Sequence, residues 1–148
     1  MNAIYDKLMA CVDVVKSKTD FAPKLALVLG SGLGGYAEEM DVTAAVDYND
    51  IEGFPISTVP GHKGRFVFGH VKGVPIVAMQ GRVHYYEGYS MNDVVLPMRL
   101  MKLLGAETLF LTNAVGGINP SYAAGDFMLI CDHILYSVPS PMSGDGTL

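Results

Sequence analysis

Five consecutive apolar residues, Leu25 to Leu29, run straight into Gly30-Ser31-Gly32-Leu33-Gly34-Gly35. A short, unbroken apolar run reads as a strand buried on both faces. The pattern recurs at Thr108 to Thr112, which is expected to be another buried strand and runs into Asn113-Ala114-Val115-Gly116-Gly117. Ile4, Leu8, Cys11, Val12 and Val15 share one face of an opening amphipathic helix. Ser90 followed by Asp93 suggests a capping box, opening a helix that runs to Leu104 and stops at Gly105. Pro97 is expected to kink that helix or to delay its regular part. Phe66 to Val71 and Val74 to Met79 flank Lys72-Gly73 as a hairpin, and Phe127 to Ile130 is expected to be one more strand. The tail from Val138, with Pro139, Pro141, Gly144 and Gly146, reads as loosely structured. Strands separated by helices argue for an α/β sheet with helices on both faces.

The 148 residues suit a single domain, and a half-hydrophobic, 17% charged composition suits a buried core. A net charge of -5 argues against general affinity for nucleic acid or an anionic membrane. No apolar stretch approaches the roughly 18 to 20 residues of a membrane span. Asp6, Lys7 and Asp13 interrupt the N-terminal segment, so it does not read as a signal peptide. Cys11 and Cys131 make no CxxC pair, which fits a reduced, cytoplasmic compartment. The charge is uneven. Between Gly53 and Tyr86 there is no Asp or Glu, and Lys63, Arg65, Lys72 and Arg82 make that window +4 while the rest sums to -9. A basic window in an acidic chain suggests a localised anion site.

Three readings fit the first glycine-rich turn. Gly30, Gly32 and Gly35 satisfy GxGxxG, with Asp47 after a strand at Val42 to Val46 as the ribose-binding acid of a dinucleotide domain. Against this, Tyr36 to Met40 is short for a crossover helix. The turn can equally be a plain chain reversal, or a nest of backbone N–H groups that holds a phosphate together with the Ser31 hydroxyl. In Gly81-Arg82-Val83-His84-Tyr85-Tyr86-Glu87, alternation would put Arg82, His84 and Tyr86 on one face, unless this is only a solvated edge strand. Arg82 can clamp an anion bidentately, His84 can add a donor, and Glu87 is close enough to orient His84. His62 lies between glycines in a possible lid loop. Asp132-His133 reads as structural, and four histidines without HxH or HExxH spacing argue against a metal site.

Taken together, LVLGSGLGG (Leu27 to Gly35), PGHKG (Pro60 to Gly64), MQGRVHYYEGY (Met79 to Tyr89), LTNAVGGIN (Leu111 to Asn119) and GDFMLICDHI (Gly125 to Ile134) resemble the trimeric family of purine nucleoside phosphorylases. Methylthioadenosine phosphorylases share the fold but fit less well at the first and third stretches. The resemblance implies an α/β fold with a mixed sheet, and a trimer that needs no metal or organic cofactor. It implies phosphorolysis of purine nucleosides, with inorganic phosphate as co-substrate. By the same resemblance Ser31, His62, Arg82, His84 and Ala114 would bind phosphate. Tyr86, Ala114 and Val115 would line the ribose and nucleoside side, with His84 and its support Glu87 as the catalytic pair.

Members of that family continue for nearly as many residues again. That part normally brings the Glu and Asn that hold the purine, a second phosphate serine, a ribose-contacting His and an aromatic lent to a neighbouring subunit. The expectation is therefore one phosphorylase-like domain over 1–148, truncated at the C-terminus, with little activity alone. Two alternatives stand beside it: a non-catalytic phosphate- or nucleoside-binding module, and the dinucleotide-binding domain.

Overall fold

The computed structural model describes residues 3–59 and 63–143. Its main elements are helix α1 (Ala3–Lys18), strands β1 (Leu25–Leu29), β2 (Asp41–Asp47), β3 (Arg65–Val71) and β4 (Val74–Gln80), helix α2 (Met91–Leu103) and strand β5 (Thr108–Leu111). Short 3-10 turns lie at Gly34–Glu38, Tyr48–Asp50 and Tyr85–Glu87. The five strands form one mixed sheet in the order β2-β3-β4-β1-β5. β1 runs parallel to both β4 and β5, whereas β2, β3 and β4 form an antiparallel meander.

The alternation of side chains along the strands sorts the core into two layers. On one face Ala26, Val28, Phe66, Phe68, Val77 and Met79 meet Leu8, Cys11, Val12 and Val15 of α1 and Leu96, Leu100 and Met101 of α2. On the other, Leu27, Leu29, Val67, Ile76 and Ala78 meet only Ala37 and Met40 from the turn after β1. Both α-helices therefore cover the same face, and the expectation of helices on both faces does not hold for the described residues. The segments following β1 and β5 are too short or too extended to supply a second helical layer.

Several local expectations are met. The hairpin turns at Lys72 and Gly73, with φ of 49° and 79°. Two successive positive φ values give the turn the twist that matches antiparallel strands. Ser90 caps α2 by accepting from the Asp93 amide at 3.2 Å, while its hydroxyl donates to the Asp93 carboxylate at 2.7 Å. The helix runs unbroken through Pro97, so its regular part does not begin later.

Two strand expectations fail. β5 forms, but as an edge strand, with Leu109, Phe110 and Leu111 all about half exposed. Among the described residues its apolar run has a partner on one side only and no layer over it. Phe127 to Ile130 forms no strand, and Phe127 is fully exposed. A strand needs a neighbour for its backbone groups, and among the described residues this segment pairs with none. Residues 138–143 carry no helix or strand, as expected, and Gly144 to Leu148 lie outside the described residues.

Candidate functional site

Parallel β4, β1 and β5 lie side by side, so their carboxyl ends deliver Gly81, Gly30 and Thr112 to one edge of the sheet. Open α/β sheets bind ligands at such strand ends. The Gly30 amide donates to Thr112 Oγ1 at 2.8 Å, and the Thr112 hydroxyl donates onward to the Val28 carbonyl at 2.8 Å. Packing is close at this point. A Cβ on Gly30 would stand 2.7 Å from the Thr112 carbonyl oxygen, so only glycine fits.

After Gly30 the chain closes a tight turn, Leu33 N to Gly30 O at 3.0 Å, then a second, Tyr36 N to Leu33 O at 3.0 Å. Ser31, Gly32, Gly34 and Gly35 of this loop line a cavity of about 360 Å³, together with Gly30, Gly81, Gln80, Val59, Lys63 and Glu38. Ser31 is thus part of a cavity wall that holds five glycines, Gly30, Gly32, Gly34, Gly35 and Gly81.

Arg82, His84, Tyr86 and Glu87 come together beside these exits. Arg82 Nη1 donates to the Thr112 carbonyl at 2.8 Å, and Arg82 Nε points at His84 Nε2 at 3.4 Å. His84 Nδ1 stands 2.8 Å from Glu87 Oε1, which also accepts from the His84 amide at 2.7 Å. An Arg N–H only donates and an ionised carboxylate only accepts. The neutral His84 ring is therefore held with its proton on Nδ1, and its Nε2 lone pair faces Arg82. The His84 and Tyr86 rings stack at 4.8 Å and 17°. Sequence alternation predicted this neighbourhood by the wrong route. Tyr86 sits in a 3-10 turn, not in an extended strand, and the stack follows from the turn.

Glu87 is the most heavily bonded side chain of the site. Besides His84, it accepts from the Thr58 amide at 2.7 Å, the Thr58 hydroxyl at 3.0 Å and the Ser57 hydroxyl at 3.3 Å. Its side chain is 3% exposed. Burial raises its pKa, but the hydrogen bonds from Thr58 and His84 outweigh that and hold it at about 2. Tyr89 adds a second clasp, donating to the Ile56 carbonyl at 2.7 Å and accepting from the Ile56 amide at 3.2 Å. The segment leading into the glycine-flanked loop is thus tied to the turn that carries His84. His62 itself lies outside the described residues.

Ala114 and Val115 follow Thr112 and are exposed, Val115 by 72%. They lie next in chain to the Arg82 contact, and no layer of the described residues covers them. The basic window does not act as one patch. Lys72 is spent on the distant hairpin turn, and His70 packs edge-on to Phe21 at 5.2 Å. Lys63 pairs with Glu38, so an acid from outside the window enters the cavity wall. That contact holds the Glu38 carboxyl below its usual range.

Sequence reasoning passed over Thr112, Gln80, Thr58 and Tyr48 as site residues. Tyr48 is fully buried and donates to the Gly81 carbonyl at 2.8 Å, fixing the exit of β4. Among these, only Gln80 carried a signal, as a polar residue closing an apolar run.

The dinucleotide reading fails on topology. β1 is followed by a five-residue 3-10 turn rather than a crossover helix, and β2 pairs antiparallel with β3 instead of lying beside β1. Asp47 therefore ends on the far edge of the sheet. Among the described residues no helix is long and apolar enough to cross a membrane.

Residues 24–147 match the family model described as the phosphorylase superfamily. The chain is 47% identical over 139 residues to purine nucleoside phosphorylase 1 of Bacillus subtilis, covering 94% of this chain and 51% of that protein. It is 48% identical over 130 residues to purine nucleoside phosphorylase of Rattus norvegicus, covering 88% and 45%. Isoform 2 of purine nucleoside phosphorylase from Schistosoma mansoni, solved with cytosine and ribose-1-phosphate, superposes with a TM-score of 0.75 at 44% identity, covering 82% of this chain and 43% of that one. The chain spans about half the length of the curated relatives it matches.

Proposed function

The chain belongs to the phosphorylase superfamily, and from that premise we propose that it supplies the phosphate and ribose side of a purine nucleoside phosphorylase. The reaction is phosphorolysis of purine ribonucleosides or deoxyribonucleosides. A phosphate oxygen forms a bond to C1′ of the sugar as the C1′–N bond breaks. The electron pair leaves with the purine, which takes up a proton, and (deoxy)ribose 1-phosphate remains.

The observation that carries this reading is that Thr112 bonds both the Gly30 amide, one residue before Ser31, and Arg82, which in turn faces His84. Arg82, the Ser31 hydroxyl, the loop amides and the Ala114 backbone hold the phosphate, and the family resemblance adds His62. Glu87 fixes the His84 ring with Nδ1–H toward itself, so His84 meets phosphate through Nε2, as a donor when that nitrogen also carries a proton. Tyr86 meets the ribose, and Ala114 and Val115 wall the nucleoside. A fixed clamp of this kind positions the nucleophile and stabilises charge in place of water, an effect worth several kcal/mol. No residue is assigned to the departing purine.

On the family resemblance the co-substrate is inorganic phosphate, no metal or organic cofactor takes part, the assembly is a homotrimer, and the setting is cytoplasmic purine salvage. The 148-residue chain alone is expected to bind phosphate and release little or no base, because the surface beside Ala114 and Val115 stands open to water. Robust hypoxanthine release from inosine and phosphate by this chain would overturn that part. The clamp is tested by thermal unfolding. Phosphate or sulfate should raise the Tm of the wild type, and Arg82→Ala should abolish the rise. An equal shift in both proteins would sink the clamp.

A further inference from the structure

Four glycines among the six residues from Gly30 to Gly35 make this loop intrinsically loose. A loose loop loses affinity by the entropy of ordering it. Two side chains that no assignment above places against ligand hold it, one at each end.

At the far end stands Gln80, the buried polar residue of the described core, at 2% exposure. Its Nε2 donates to the Gly34 carbonyl at 2.6 Å, and its Oε1 accepts from Arg65 Nε at 2.7 Å. Arg65 Nε can only donate and a carbonyl can only accept, so a single orientation of the amide satisfies both. Glutamate would face the Gly34 carbonyl with an acceptor, and methionine would orphan both partners. The Gln80 backbone carbonyl also accepts from the Gly64 amide at 3.0 Å, which ties the start of β3 to the same residue. At the near end, Thr112 Oγ1 accepts from the Gly30 amide and its carbonyl accepts from Arg82.

We propose that Gln80 and Thr112 are positioning residues that clamp the Gly30–Gly34 loop at its two ends, so that Ser31 and the loop amides meet phosphate already ordered. Thr112 lies outside the lining of the cavity at this loop, and Gln80 forms part of its wall with both polar atoms of its side chain spent on Gly34 and Arg65. Thr112 registers the loop against Arg82, and Gln80 registers it against Gly64 and Arg65. The proposal deepens the phosphate reading and rests on it.

The test uses phosphate titration calorimetry together with backbone hydrogen exchange at Leu33 and Tyr36, in the 148-residue chain. Thr112→Val keeps the shape and removes the hydroxyl; Thr112→Ser keeps the hydroxyl. Thr112→Val and Gln80→Met should each weaken phosphate binding about tenfold or more, the size of one lost buried hydrogen bond, and speed exchange at both amides. Thr112→Ser should recover most of the affinity and the slow exchange. Wild-type binding and exchange in Thr112→Val and Gln80→Met would overturn the clamp. If the wild type itself binds no phosphate, the phosphate reading falls, and the exchange rates alone then decide whether the two residues order the loop. The threonine pair keeps the test valid if Gln80→Met fails to fold.

Discussion

Glu87 Oε1 lies 2.7 Å from the His84 amide nitrogen and 2.8 Å from His84 Nδ1, so one carboxylate oxygen holds both the backbone and the ring of the same histidine. The other oxygen takes the Thr58 amide at 2.7 Å. One buried anion therefore joins the turn at 85–87 to the segment at 57–58.

Glu87→Gln leaves only one strong acceptor for these donors and turns an NH2 group toward N–H groups. Its stability should fall by about 1–3 kcal/mol, the cost of unsatisfied buried donors. Urea unfolding checks this. Nitrogen NMR of His84 should show a loss of the Nδ1–H tautomer's dominance, which a purely structural defect elsewhere would not produce. A variant with unchanged stability and tautomer would remove Glu87 from the orienting role.

The same carboxylate predicts an acid limit. Its folded pKa is held at about 2, below the ordinary value of 4.5. A depressed acid contributes stability that is fully present above its unfolded pKa and is lost as pH falls toward its folded one. The stability gap between wild type and Glu87→Gln should therefore narrow between pH 4.5 and about 2. Unfolding free energies across that window measure it, and a constant gap would contradict it.

Gly30→Ala places a Cβ 2.7 Å from the Thr112 carbonyl oxygen and 3.1 Å from Asn113 Cα. Both are backbone atoms, so the β1 and β5 exits must part. The expected result is a folded protein with normal far-UV circular dichroism, destabilised by about 1–3 kcal/mol through overpacking. Its Tm should no longer respond to phosphate. A retained phosphate response would show that the two exits need not touch.

Tyr48 packs against Phe54 and Phe66, with ring centroids at 4.9 Å in both cases, and its hydroxyl donates to Gly81. Tyr48→Phe keeps the packing and orphans the Gly81 carbonyl. A loss of about 1–3 kcal/mol is expected, read by chemical denaturation, with weaker phosphate binding because Arg82 follows Gly81. Wild-type values for both would place the hydroxyl outside the site's support.

Much of the architecture was legible from local pattern. The bounds of β1, the Lys72-Gly73 hairpin, the apolar face of α1 and the Ser90 cap all follow from periodicity and from residues with strong backbone preferences. The grouping of Arg82, His84, Tyr86 and Glu87 was also legible, because those residues are near in the chain. Three things were not. The acid-free window looked like one basic patch, yet Glu38 enters it from another segment. The apolar run at Thr108 to Thr112 looked buried, yet it takes the sheet edge. The two helices looked like cover for opposite faces, yet they share one.

The amino-acid sequence by itself determined β1, the β3–β4 hairpin, the glycine exits and the phosphorylase motifs, since each depends on neighbours a few positions away. Only the tertiary structure decided which exits meet. Strand order β4-β1-β5 brings Gly81, Gly30 and Thr112 together from positions up to 82 residues apart. Thr112 and Gln80 acquire their roles only there. A hydrogen bond reaches about 3 Å through space, and no local pattern records which distant segments folding will bring that close.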